Sequence, residues 1–218
     1  MGLFTYYVIQ MTTSIVASDF VAELVANDAP SVDMMIGIGL VKETDAVYFQ
    51  YMGQEQSPVA LTLPSGKPCT RLPHVTLTGI EVASDIGEFK STKLNLFLTS
   101  SAGRTVMLTS GLQTIWSQCV ITGLMAVFNE YGLNAPLTID TWKGTSKMRP
   151  CFAAIRQGTQ KMSDNDLYEQ LKEARTDRDR ERVERIMRDS VDILRGALGI
   201  EQTSVSEVVA EAEETLEF

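Results

Sequence analysis

The feature that most constrains this chain is a change of hydrophobic period between His74 and Gln157. HVTLTGIEVAS, KLNLFLTS and RTVMLTS alternate apolar and polar residues at period two, as half-buried strands do. The next stretch, SGLQTIWSQCVITGLMAVFNEYG, repeats at the helical period, with Trp116, Val120, Leu124 and Val127 on one stripe. PLTIDTWKG and CFAAIRQG then return to period two. The spacing predicts three strands, one helix and two strands. Ser110 with Gln113 fits a capping box at the helix start, and Gly132 fits its end. In the first strand Val75 and Leu77 share one face, and Ile80 and Val82 the other. Gly79 lies where the parity changes, so a bend or bulge is expected there.

The flanks read differently. TYYVIQM and AVYFQYM have the aromatic and β-branched content of strands. SDFVAELVAN reads as a helix capped by Ser18, and MMIGIGLV fits either class. Pro58, Pro64, Pro68 and Pro73 mark the stretch from Gln54 to Pro73 as a loop or linker. Beyond Gln157, one charged helix is expected from a Ser163 cap to Gly196–Gly199. Its second half regains Val183, Ile186, Met187, Ile193, Leu194 and Leu198, which must pack on the body or on another subunit. The expected division is a β-rich extension with a Pro-rich loop (1–73), a β-unit (74–157), a charged helical region (158–200) and an acidic tail (201–218).

Charge is segregated along the chain. The net charge is −9, yet the last 18 residues hold 6 acids and no base. Residues 1–150 carry 9 Lys/Arg against 12 Asp/Glu, and residues 151–200 carry 10 against 10. An acidic total therefore does not exclude a polyanion partner for the body. No apolar run approaches the roughly 18 residues of a membrane span, so no membrane association is expected. The first residues have no early Lys or Arg and no Ser or Thr at position six, so neither a signal peptide nor myristoylation is expected. Cys69, Cys119 and Cys151 form no C-x-x-C pair, which suits free thiols in a reducing cytoplasm.

Enzyme signatures are sparse. His74 is the single histidine, which excludes paired-His metal motifs; a solvent-facing structural role is expected for it. There is no G-x-S-x-G elbow. Gly37-x-Gly39 lacks the third glycine of a dinucleotide loop, and SGKP at Ser65–Pro68 lacks the upstream glycine of a phosphate loop. A non-enzymatic chain is expected, with no catalytic residue, metal ligand or cofactor.

A binding face is better supported. If Leu94, Leu96 and Leu98 face the core, then Lys93, Asn95 and Phe97 face outward. Arg104 opens the third strand. Trp142 and Lys143 lie on the fourth, Lys147 and Arg149 in the basic turn GTSKMRP, and Phe152 and Arg156 on the fifth. Rings beside cations suit single-stranded nucleic acid, whose bases stack on the rings and whose phosphates meet Lys or Arg.

Three strands, a helix and two strands is the order of an OB-fold, a five-stranded barrel used for oligonucleotides. The expected class is mainly β with α appendages: an OB-fold-like barrel with one internal helix, then a charged helix and an acidic tail. With a tail ending in Phe218, the chain resembles the single-stranded DNA-binding proteins of bacteria and phages. The resemblance implies binding of single-stranded DNA, with RNA left open; a cytoplasmic homo-oligomer is expected. The resemblance also implies that Glu211, Glu213, Glu214, Glu217 and Phe218 recruit replication and recombination enzymes and compete with DNA for the groove. The alternative is a non-enzymatic assembly module that docks proteins through the same face and the C-terminal helix.

Overall fold

The period-two segments pair into one mixed sheet in the computed structural model, which describes residues 32–50, 58–86 and 90–200. The strands are β1 (Val32–Ile38), β2 (Tyr48–Gln50), β3 (Val59–Ala60), β4 (Arg71–Ile86), β5 (Ser91–Ser100), β6 (Thr105–Gly111), β7 (Leu137–Lys143), β8 (Cys151–Gln157) and β9 (Gln160–Met162). The helices are α1 (Ile115–Tyr131), α2 (Asn165–Thr176) and α3 (Arg180–Ala197). The segments TYYVIQM and SDFVAELVAN and the acidic tail lie outside the described residues.

The chain is mainly β, and from β4 to β8 its elements follow the expected order of three strands, helix and two strands. The nine strands run β3-β2-β1-β6-β5-β4-β7-β8-β9. This is an open sheet and not a closed five-stranded barrel. The physical reason lies at β6: its outer edge is taken by β1, which pairs with it in parallel from Met34↔Val106 to Gly37↔Thr109. The β4–β8 set therefore does not close on itself. MMIGIGLV, readable as either class, supplies that strand.

Several expectations change in detail. The stretch read as a loop before Pro73 holds β3, a bridge between Thr62 and Pro68, and the first residues of β4. The register of β4 shifts between Leu77 and Gly79, the position expected for a bulge. Its consequence differs from the simple parity reading. Leu77 opposes Leu98, Ile80 opposes Leu96 and Val82 opposes Leu94, so the bulge turns both halves of β4 toward the same core. Phe97 packs over Gly79, where an added Cβ would come within 3.0 Å of its ring.

Helix α1 begins later than the Ser110–Gln113 pattern predicts. Ser110 and Gly111 still pair with Leu94 and Lys93 in β6. The cap is Thr114, whose Oγ1 accepts the Ser117 backbone N–H at 3.2 Å. Trp116, Val120, Leu124 and Val127 are all buried, and Gly132 ends the helix at φ 73°. Gly123 permits close contact with β8; a Cβ there would lie 2.5 Å from Ile155 Cγ1.

The charged region is two helices and not one. Asp164, not Ser163, caps α2 by accepting the Leu167 N–H at 3.0 Å, and Asp179 caps α3 by accepting the Arg182 N–H at 2.9 Å. Between them Arg178 adopts φ 59°, which breaks the helical path. Val183, Met187, Val191 and Leu194 are buried in the same core as α1 and β4. This apolar stripe is thus covered by the chain's own body, while Ile193 remains half exposed.

Candidate nucleic-acid interface

Alternation along β7 divides its residues cleanly. Leu137, Ile139 and Thr141 point into the core, while Thr138, Asp140 and Trp142 point outward. On β8, Phe152 stands opposite Trp142, Ala154 opposite Asp140 and Arg156 opposite Thr138. Trp142 and Phe152 stack with ring centroids 6.1 Å apart and planes 15° apart. Trp142 keeps 43% of its surface exposed, so its ring remains open to solvent. Phe152 packs on Gly144, where a Cβ would meet its ring at 2.8 Å.

Beside the rings lies an ionic group. Asp140 accepts from Arg71 Nε and, at 2.7 Å, from Arg156 Nε, so one carboxylate is held between two guanidinium groups. Arg71 above all, with Arg156 beside it, holds the Asp140 carboxyl below its usual range despite partial burial. The trio carries one net positive charge, and the Arg71 side chain is 61% exposed. Arg156 also donates to the Thr159 carbonyl at 3.0 Å, which fixes its guanidinium.

Beneath this face, Thr141 Oγ1 lies 2.7 Å from Tyr48 Oη and accepts from Trp116 Nε1 at 3.0 Å. All three residues are buried. Burial pushes the Tyr48 hydroxyl far above its ordinary range, so it stays neutral. The network holds β7 from behind while Trp142 faces outward.

The remaining expected residues separate into groups. Lys143 is turned toward the β1–β2 loop, donating to the carbonyls of Val41 and Thr44 (2.8 Å to Thr44), with its ammonium 5.9 Å over the Phe49 ring. Burial lowers its pKa from the ordinary lysine value. Arg149 is also engaged there, paired with Asp45. Both clamp loops together. Lys147 is exposed in the β7–β8 turn.

On β5, Asn95 is buried and donates to Glu81 at 2.8 Å, so it is not an open contact. Phe97 is half-buried between Gly79 of β4 and Met107 of β6, with Lys93 four residues earlier on the same outward face. Arg104 is half-buried in the β5–β6 turn. The tail residues Glu211, Glu213, Glu214, Glu217 and Phe218 lie outside the described residues. His74 is exposed, with φ 53°. The structure thus brings together Trp142, Phe152 and Arg156 and leaves Phe97 and Lys93 on a separate stretch of the outer face.

Two members of the ring-and-cation face escape sequence reasoning. Asp140 shares the parity of Trp142, a signal available from alternation alone. Arg71 sits among prolines and gives no strand signal. No protein family, curated protein or solved structure matches the chain.

Proposed function

We propose that this chain binds single-stranded DNA through the outward face of β7 and β8. The observation that carries the reading is the solvent-open stack of Trp142 on Phe152 beside the net-positive Arg71–Asp140–Arg156 group. Bases stack on such rings with little dependence on sequence, each for roughly 1–3 kcal/mol. Arg71 supplies a cation for the backbone, and the exposed Lys147 extends the path along the β7–β8 turn. Asp140 is already neutralised by two arginines, so it repels a phosphate less than a free carboxylate would.

The β4–β8 order supports an OB-like ancestry for this face, with β1 added at the β6 edge. In that arrangement the β5–β6 face and the β7–β8 turn are the oligonucleotide surface, which brings Phe97 and Lys93 in as a second contact. The acidic tail would recruit replication and recombination proteins. The chain would act without catalysis or a cofactor.

The test is binding of labelled oligo-dT by the full chain and by Trp142→Ala at two salt concentrations. Salt-sensitive binding that weakens in the variant supports the reading. Binding unaffected by Trp142→Ala would move the site elsewhere on the sheet.

A further inference from the structure

A cleft lies away from the β7–β8 face, where the start of α1 meets the junction of α2 and α3. It encloses about 300 Å³ and is lined by Gln113, Gln118, Arg175, Arg178, Asp179 and Arg180 among others. Two physical facts make this more than a helix junction. Arg175, Arg178 and Arg180 make no side-chain ion pair among the described residues, whereas the nearby Arg182 is occupied by Glu173 and Asp177. Second, Gln118 is 96% buried (4% exposed), and its Oε1 has no hydrogen-bond partner among the described residues. Its Nε2 is already committed, donating to the Gln113 carbonyl at 2.9 Å. A buried acceptor left without a donor is costly and uncommon.

The groups facing the cleft are asymmetric in charge. Three arginines line it. Of the acids, Asp179 is partly engaged in capping α3 through the Arg182 N–H, and Glu184 is taken by Gln113 and Arg188. The first turn of α3 adds the positive end of an 18-residue helix. The ligand that suits this set has an anionic end for the arginines and a nearby N–H or O–H for the amide oxygen. A nucleotide has both.

We propose that the α1–α2–α3 cleft binds a nucleotide phosphate, with Arg175, Arg178 and Arg180 around the phosphate oxygens and Gln118 accepting from the attached sugar or base. The phosphate comes either from a free nucleotide or from a nucleic-acid strand. This site is separate from the Trp142 face and does not rest on it.

The experiment is calorimetric titration of the full chain with dTMP, thymidine, and oligo-dT with and without a 5′-phosphate. Each titration is repeated on Arg178→Gly/Arg180→Gln and on Trp142→Ala. Glycine suits the φ of 59° at position 178, so the double variant removes charge without adding strain. If free nucleotide is the occupant, dTMP binds, thymidine does not, and the double variant weakens dTMP roughly tenfold or more. Trp142→Ala leaves that affinity unchanged. If strand phosphates are the occupant, dTMP is silent and both oligonucleotides lose a similar factor in the double variant; loss confined to the 5′-phosphorylated one assigns the strand end. The proposal is overturned if no phosphate-bearing probe binds, or if every one binds the double variant as it binds the parent.

Discussion

Tyr48 Oη lies 2.7 Å from Thr141 Oγ1, although β2 and β7 stand five strands apart in the sheet. In a flat sheet that separation would be about 24 Å, at roughly 4.8 Å per strand. The sheet must therefore curl until its two flanks meet, and Trp116 of α1 closes the junction by donating to the same hydroxyl. One threonine thus ties together β2, β7 and the central helix α1.

Thr141→Val tests that junction. It leaves a buried phenol and a buried indole N–H without their partner, and should cost about 2–4 kcal/mol in denaturant unfolding. Tyr48→Phe removes only one end of the network and should cost about 1 kcal/mol. Equal effects from the two substitutions would argue against a shared acceptor.

Helix α1 should tolerate no added volume where it crosses β8. Gly123→Ala places a methyl group 2.5 Å from Ile155 Cγ1, and overpacking of this kind costs about 1–3 kcal/mol. Helix propensity alone would make the same change stabilising, so the sign of the shift in melting temperature decides which effect dominates.

Acid stability should depend on Asp140. Its carboxyl has a folded-state pKa below the ordinary value of 3.8, first because of Arg71 and then Arg156. A depressed carboxylate stabilises the folded chain above the unfolded pKa, and that stability is lost as pH falls through the folded pKa. Unfolding free energy should therefore decline from about pH 4 downward, and the decline should be shallower in Asp140→Asn. Parallel acid limbs for parent and variant would show that the pairing contributes nothing.

Sequence periodicity makes the central elements legible because each has one wet and one dry face. Leu94, Leu96 and Leu98 on β5, and Trp116 through Val127 on α1, announce their burial directly. What periodicity does not show is pairing between distant segments. Nothing in MMIGIGLV reveals that it lies parallel to β6 and so keeps the sheet from closing as a five-stranded barrel. The break at Arg178 is hidden because no glycine or proline marks it; the αL turn is taken by a charged residue between two aspartates, the second of which caps α3. On the candidate face, alternation alone finds Trp142 and Phe152, whereas Lys143 and Arg149 look like free cations in sequence and are spent holding the β1–β2 loop.

Loop clamping by those two cations leads to a further expectation. Arg149→Ala removes the Asp45 pair and a contact to the Lys42 carbonyl at 3.4 Å. Because Asp45 is fully exposed to solvent, the stability loss should be small. Oligonucleotide affinity should change less than in Arg71→Ala, whose guanidinium pairs with Asp140, two residues before Trp142 on the same outward face; the reverse order in a binding titration would place the phosphate path on the loops.

The most direct measurement is fluorescence anisotropy of labelled oligo-dT titrated with the full chain and with Trp142→Ala, at low and moderate salt. Base stacking on the Trp142 ring predicts binding that weakens as salt rises and a further loss of roughly tenfold or more in the variant, equivalent to one stacked base. No binding by the full chain at low salt would contradict it, and the Trp142–Phe152 face would then have to be sought as a protein-docking surface.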